Sequence, residues 1–257
     1  MGTSDLFDLH GSTALVTGGS RGIGGAIAMG LAQQGADVVL LARGAGPLEQ
    51  ARQRILAETG RRVWVRAFDL GAVDAVESVF AGVVDEVGGV DILVNAAGTT
   101  VRGPSEDLPP DGWAHVLDVN LTAACRLCQA FCRHRKSAGG GRIINIGSLT
   151  CDGARAGTAA YAASKGGLLM LTKTLAVEWA RYGITANLIG PGYIRTELTK
   201  PLWTDEQFNQ WVLSKTPANR WGEPEDLVGT AVLLASKAGA FITGQIIYVD
   251  GGWLAML

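Results

Sequence analysis

Nowhere does the chain run apolar for the roughly 18 residues that a membrane-spanning helix requires, and no N-terminal stretch pairs a basic segment with an apolar one. The expectation is a soluble, cytoplasmic protein with no membrane partner. Neither sign of charge is in excess: 22 Lys and Arg stand against 24 Asp and Glu, for a net charge of −2. That balance argues against a nucleic-acid partner and leaves the run Arg133-His134-Arg135-Lys136 as a solvated helix end. Cysteine is scarce, with four residues in 257, and a disulfide framework is not expected in a reducing compartment. Cys125, Cys128 and Cys132 fall at i, i+3 and i+7 of a predicted helix, with His134 close by. Spread over more than two turns, the three thiols cannot reach one tetrahedral ion without distortion, so they read as small residues on a buried or subunit-facing stripe, and no metal is expected. Cys151 reads as structural, with sensitivity to oxidation as the alternative.

Glycine is plentiful: the chain has 36, and 47% of its residues are hydrophobic. Both suit a buried parallel sheet with many tight turns, and 257 residues suffice for one domain spanning 1–257. Strand-like runs at 12–17, 37–42, 63–67, 90–94, 142–147, 184–189 and 245–249 alternate with helical patterns. The fold class is therefore α/β, a doubly wound Rossmann-type parallel sheet flanked by helices on both faces, with right-handed crossovers. In such a sheet the ligand lies beyond the carboxyl ends of the strands. Gly18, Ala42, Asp69, Asn95, Ser148 and Pro191 each follow a strand run there.

Tyr161 and Lys165 are four apart in a segment, Ala159 to Trp179, whose apolar spacing predicts a helix, so both side chains leave from one face. A free phenol has a pKa of about 10, and lowering it by ~3 units needs ~4 kcal/mol of preferential stabilisation of the phenolate. An adjacent ammonium is a direct source. With the Ser148 hydroxyl arriving from the end of a neighbouring strand, the three form a proton-transfer site for a carbonyl/alcohol pair. At the N-terminus, the run 12–17 leads through Gly18-Gly19-Ser20-Arg21-Gly22-Ile23-Gly24 into a helical pattern. A helix opening there turns unpaired N–H groups and its positive dipole end toward the turn, as a diphosphate requires. The common G-x-G-x-x-G fingerprint is absent, because Ile27 holds its third glycine position.

Together, Thr17-Gly18-Gly19-Ser20-Arg21-Gly22-Ile23-Gly24, Asn95-Ala96-Ala97-Gly98, Asn120, Ser148, Tyr161 with Lys165, and Pro191-Gly192 leading to Thr196 resemble the short-chain dehydrogenase/reductase family. The resemblance runs from about Leu9 to the C-terminus; Ala96 stands where the family often has a second Asn. It implies an oxidoreductase that moves hydride between a nicotinamide cofactor and a carbonyl/alcohol pair. Tyr161 would be the acid/base, Ser148 would polarise the carbonyl, and Lys165 would hold the nicotinamide ribose and lower the Tyr161 pKa. Asn120 would anchor a water on the proton path. The resemblance assigns Gly18 to Gly24 to the diphosphate, Asp69 and Leu70 to the adenine, Asn95, Ala97 and Gly98 to the adenosine wall, and Pro191, Gly192, Ile194 and Thr196 to the carboxamide and diphosphate. Asp69 could equally cap the following helix.

No acidic residue follows the second strand run, where a carboxylate would hold the ribose hydroxyls of NAD(H). Arg43 there and Arg21 in the glycine turn offer paired charge-assisted donors to a 2′-phosphate, which favours NADP(H) over NAD(H). The segments 176–183, 216–227 and 249–253 resemble the gluconate 5-dehydrogenase branch, which implies a small, anionic, polyhydroxylated substrate. Arg102 and Arg155 are candidates for its carboxylate, and surface or interface charges are the alternative. A 3-oxoacyl-acyl-carrier-protein reductase or a generalist ketone reductase is the second expectation, and a dinucleotide-binding regulator without turnover is the third. The aromatic-rich segment 193–217 reads as a mobile substrate lid with a helix cap at Thr204 or Asp205, or as a surface helix packed by Trp203, Phe208 and Trp211. By resemblance the protein is a homotetramer, with helices in 103–135 and 150–180 and the tail Trp253–Leu257 between subunits.

Overall fold

The structure, a computed structural model, describes residues 2–256. The last residue of the tail assigned to subunit contacts, Leu257, lies outside the described residues. In chain order the main elements are α1 (Thr3–Leu6), β1 (Thr13–Thr17), α2 (Gly22–Gln33), β2 (Asp37–Ala42), α3 (Ala45–Thr59), β3 (Val63–Ala67), α4 (Val76–Val87), β4 (Ile92–Asn95), α5 (Pro110–Leu117), α6 (Ala123–Arg135), β5 (Gly141–Ile146), α7 (Ala159–Trp179), β6 (Ile184–Pro191), α8 (Lys200–Trp203), α9 (Glu206–Lys215), α10 (Val228–Ala235) and β7 (Ile246–Val249). The strands form one sheet in the order β3-β2-β1-β4-β5-β6-β7, every pair parallel. Strand order reverses between β1 and β4, which opens a crevice at their carboxyl ends. Thr17 and Asn95 face each other in register at that edge.

Alternate side chains of each strand serve opposite faces. Ala14 and Val16 pack with Ile27 and Leu31 of α2, Leu48 and Ile55 of α3, and Leu234 of α10. Leu15, between them, packs on the other face with Phe80 of α4, Leu127 and Phe131 of α6, and Leu175 of α7. Because both faces are covered, the central strands read as continuous apolar runs rather than alternating ones. Each large side chain so buried contributes about 1.5–3 kcal/mol.

The run 133–136 is not simply a solvated helix end. Arg135 donates to the carbonyl of Gly140 at 2.6 Å and pairs with Asp91 at 2.8 Å, and His134 Nε2 accepts the Val90 N–H at 3.2 Å. Arg133 reaches Glu77 on α4 at 2.8 Å. The end of α6 meets the loops entering β4 and β5, whose main-chain groups need partners, and the basic residues supply them. Cys128 is fully buried and Cys132 nearly so, while Cys125 is half-buried. Burial drives the Cys128 thiol far above its ordinary pKa. Among the described residues, no group of three or more His, Cys, Asp or Glu is placed to hold a metal ion, and no helix is long and apolar enough to cross a membrane.

Candidate active site

The glycine turn connects β1 to α2 and is built around close backbone contacts. Gly18 adopts φ +65°, and a Cβ on Gly24 would lie 2.5 Å from the Gly18 carbonyl oxygen, so neither position accepts a side chain without displacement. Arg21 is the extended residue before α2 and supplies no side-chain cap. The first N–H to bond back toward the turn is that of Gly25, to the Arg21 carbonyl at 3.1 Å. The N–H groups of Gly22, Ile23 and Gly24 are left for a ligand, at the positive end of a 12-residue helix. Ser20 and Arg21 share this turn. Thr196 lies against its opening, 3.5 Å from where a Gly22 Cβ would be. A side-chain-free cradle with free N–H donors fits a dinucleotide diphosphate.

Thr17, which sequence reasoning quoted only as part of the motif, ties the crevice together. Its hydroxyl accepts the N–H groups of Ala96 at 3.0 Å and Ala97 at 3.1 Å. Gly98 follows, with the Asn120 Oδ1 and Lys165 Nζ both within 4 Å of the point a Cβ would occupy. The Asn95 side chain turns into the sheet, which leaves its main chain for the adenosine wall. Its amide donates to Asn145 Oδ1 at 2.8 Å and to Cys128 Sγ at 3.4 Å inside the sheet, and Asn145 donates on to Thr172 of α7 at 2.8 Å. Leu70 likewise buries its side chain in the core, which leaves only its main chain for an adenine. Asp69 is exposed and accepts the Gly71 N–H at 2.9 Å, an Asx turn rather than a helix cap. Arg21 and Arg43 are exposed, and neither forms an ion pair among the described residues.

Ser148 follows β5 and opens a single 3₁₀ turn, its hydroxyl accepting the Thr150 N–H at 3.1 Å. Tyr161 and Lys165 project from the first turns of α7 as expected. Lys165 is 4% exposed, and its Nζ donates to the Ile146 carbonyl at 2.7 Å and lies 5.7 Å from the Tyr161 ring centroid. Burial pushes the Lys165 ammonium down to about 8. The expected lowering of the Tyr161 pKa is not found: burial pushes the phenol up, while hydrogen bonding with Ser148 and the charge of Arg102 pull it down less strongly. One of the three Lys165 N–H donors goes to the Ile146 carbonyl, and the phenol loses more solvation than it gains from its neighbours. Cys151 donates its thiol to the Lys165 carbonyl at 3.3 Å, and burial raises its pKa.

Asn120 sits in a π-helical turn, Asp118–Thr122, between α5 and α6. Its Oδ1 accepts the Thr99 N–H at 2.8 Å, and its Nδ2 donates to the Thr99 carbonyl and the Ser164 hydroxyl, both at 3.0 Å. Ser164 donates in turn to the Tyr161 carbonyl at 2.7 Å. Asn120 thus clamps the loop after β4 to the start of α7, and its free Oδ1 lone pair is what remains for a water.

A cavity of about 120 Å³ lies beside this group, lined by Ser148, Tyr161, Pro191 and Gly192, and by both Arg102 and Arg155. The lining also includes Thr100, Thr158, Tyr193, Leu198, Thr199 and Leu202, none of which sequence reasoning singled out. Thr199 holds the turn after β6: its hydroxyl donates to the Ile194 carbonyl at 2.6 Å and accepts the Thr196 N–H at 3.0 Å. Ile194 buries its side chain in the core, and a Cβ on Gly192 would lie 2.6 Å from the Asp250 Cα. A second cavity, of about 150 Å³, lies behind Gly192 and Tyr193 and is lined by neither Ser148 nor Tyr161. In the segment 193–217, Asp205 caps α9 by accepting the Phe208 N–H at 2.8 Å. Phe208 and Trp211 then pack edge-on to Tyr193, with centroids 5.8 and 6.0 Å away. The Trp203 indole N–H is buried without a partner.

Comparisons with known proteins agree with this geometry. A family model described as enoyl-(acyl carrier protein) reductase matches residues 18–254. The chain is 44% identical over 252 residues to gluconate 5-dehydrogenase from Gluconobacter oxydans, covering 98% of each. It is 40% identical to a 3-oxoacyl-[acyl-carrier-protein] reductase from Vibrio cholerae, covering 95% of this chain and 98% of that one. A crystal structure of gluconate 5-dehydrogenase from Burkholderia cenocepacia, in complex with NADP and tartrate, superposes with a TM-score of 0.95 at 41% identity over 100% of both chains. With likeness of that depth along its whole length, the protein belongs to the short-chain dehydrogenase/reductase family.

Proposed function

We propose that the protein interconverts a secondary alcohol and a ketone on a sugar acid of the gluconate/5-ketogluconate kind, using NADP(H). The observation that carries this reading is the convergence of Arg102 and Arg155 on the cavity that holds Ser148 and Tyr161, with no acidic side chain among its lining residues. Two guanidiniums without a counter-ion favour an anion, and carboxylate is the group they match bidentately.

A bound nicotinamide would supply or accept the hydride, and the chain's own residues manage the charge and the proton. Ser148 Oγ holds the substrate oxygen, Tyr161 OH gives it a proton in reduction and takes one in oxidation, and Lys165 adds positive charge beneath them. Asn120 steadies the start of α7 and offers Oδ1 to a water beyond Lys165. Arg21 and Arg43 favour a 2′-phosphate, and the NADP complex of the Burkholderia cenocepacia relative supports the same choice. The segment 193–217 acts as a lid over the cavity, to which Tyr193, Leu198 and Leu202 contribute. A homotetramer is supported by the exposed Met170 and Val177 on α7 and by Phe241 near the β7 edge.

The apolar lining residues Leu149, Leu198 and Leu202, together with the Vibrio cholerae relative, favour acyl reduction as the second reading. Nicotinamide absorbance with NADP(H) and NAD(H), over sugar acids, polyols and acyl thioesters, separates the two. The expected result is highest efficiency on a sugar acid; higher efficiency on an acyl thioester overturns the assignment.

A further inference from the structure

We infer that Phe208, on the lid helix α9, is a specificity-determining residue: through its face-on contact with Arg155 it couples closure of the lid to an anionic group in the cavity. The inference rests on the sugar-acid reading and goes beyond it by assigning a residue outside the cavity to substrate choice. The Arg155 guanidinium carbon lies 4.9 Å from the Phe208 ring centroid. Arg155 is therefore shared between the cavity it lines and the helix that covers it.

The main chain at each end of that contact is held. On the arginine side, the Thr158 hydroxyl donates to the Arg155 carbonyl at 2.7 Å, and the Gly103 N–H donates to the Gly157 carbonyl at 3.2 Å. The second bond ties the Arg155 loop to the loop that carries Arg102. On the lid side, Asp205 holds the Phe208 N–H, and the Phe208 ring also packs on Tyr193, at 5.8 Å, and on Trp211, at 5.1 Å. Tyr193 contacts Trp253 at 4.8 Å and itself lines the cavity. A shift of Arg155 is thus felt by an aromatic group that spans the lid, the cavity wall and the C-terminal segment.

Like charge supplies the coupling. Arg102 and Arg155 face one cavity with no carboxylate among its lining residues, and their mutual repulsion destabilises any closed arrangement that keeps both guanidiniums in place. An anion between them removes that repulsion and leaves Arg155 on the ring. The closed lid then favours the anion by the same factor by which the anion favours the closed lid. An uncharged substrate of the same size obtains no such help.

The test uses the full-length protein with NADP present. Trp211 touches Phe208, so tryptophan emission is recorded while tartrate is titrated, and catalytic efficiencies are measured on 5-ketogluconate and on an uncharged hydroxyketone. Wild-type emission should respond to the anion. Phe208→Leu should cut that response at least about fivefold and lower the acid-to-neutral efficiency ratio by about tenfold, as loss of a desolvated cation–π contact predicts. Phe208→Tyr, which restores a π face, should recover most of both. Arg155→Met leaves the lid's own packing intact and carries the same test if Phe208→Leu fails to fold. Equal losses on both substrates, or an anion response that is absent in wild type or survives both substitutions, overturn the inference. A response that requires Arg155 and Phe208 in a protein that turns over no sugar acid upholds the coupling and removes the substrate assignment instead.

Discussion

Lys165 Nζ is bonded to the carbonyl of Ile146, the last residue of β5, at 2.7 Å. The ammonium is therefore anchored to the strand that delivers Ser148, and Tyr161 rides on the same helix one turn away. Burial holds the Lys165 pKa at about 8, against an ordinary 10.5. Below pH 8 the folded state carries a desolvated charge, and as pH rises from 8 to 10.5 the folded state binds fewer protons than the unfolded one, so this group's contribution to stability improves with pH. The shift corresponds to about 3 kcal/mol. Relative to Lys165→Met, wild-type stability should rise by up to that amount between pH 7 and pH 10.5, measured by denaturant titration at each pH. A difference between the two proteins that stays flat with pH would contradict the buried-ammonium assignment.

Tyr161→Phe keeps the ring and removes the transferable proton. Turnover should fall at least ~100-fold, the usual cost of losing a general acid/base, with little change in NADP(H) affinity. Because burial raises the Tyr161 pKa, reduction by wild type should persist into alkaline solution, while oxidation should accelerate as pH rises and the phenol is more readily deprotonated. Near-normal turnover of the variant would remove Tyr161 from the acid/base role.

Much of this site was legible in the sequence, and the failures share a cause. The strands were found within two residues, most plainly β1, β2 and β4, where cover on both sheet faces makes a near-continuous apolar run between turns. Ser148, Tyr161 and Lys165 were legible because their chemistry comes with local spacing, whereas the role of Thr17 was not. What sequence could not show was direction and partner. Asn95 ends β4 rather than following it, and its amide turns inward to Asn145, 50 positions along the chain. Tyr193 stands next to Pro191-Gly192 without a motif of its own, and its place among Phe208, Trp211, Trp221 and Trp253 exists only once β6, α9 and the C-terminal turn have come together. The Tyr161 pKa went the other way for the same reason, since spacing shows a neighbouring charge but not the depth of burial.

Arg43 is exposed just past β2, with no ion pair among the described residues. Arg43→Asp should replace attraction for a 2′-phosphate by repulsion and move the efficiency ratio from NADP(H) toward NAD(H) by at least about tenfold. Steady-state kinetics with each cofactor decides this. A wild type already more efficient with NAD(H) would contradict the Arg21/Arg43 clamp.

Gly24→Ala should be costly, because the added Cβ meets main-chain atoms of Gly18 at 2.5 and 2.7 Å. Overpacking against backbone predicts a loss of about 1–3 kcal/mol and a displaced glycine turn, with NADP(H) affinity falling at least tenfold. Gly82→Ala on α4 meets nothing within 4 Å and should stabilise by roughly 0.5–1 kcal/mol. Thermal melts and cofactor titrations of the pair check the contrast; equal behaviour would contradict it.

The most direct test of the sugar-acid assignment compares catalytic efficiency on 5-ketogluconate with that on an uncharged hydroxyketone, in wild type, Arg102→Met and Arg155→Met. Methionine keeps much of the stem volume and removes the charged donors. The prediction is a loss of ~2–5 kcal/mol in transition-state terms on the acid, with a much smaller loss on the neutral ketone, in whichever variant lacks the carboxylate partner. Equal losses on both substrates in each variant, or a wild type inactive on every sugar acid, would contradict the account.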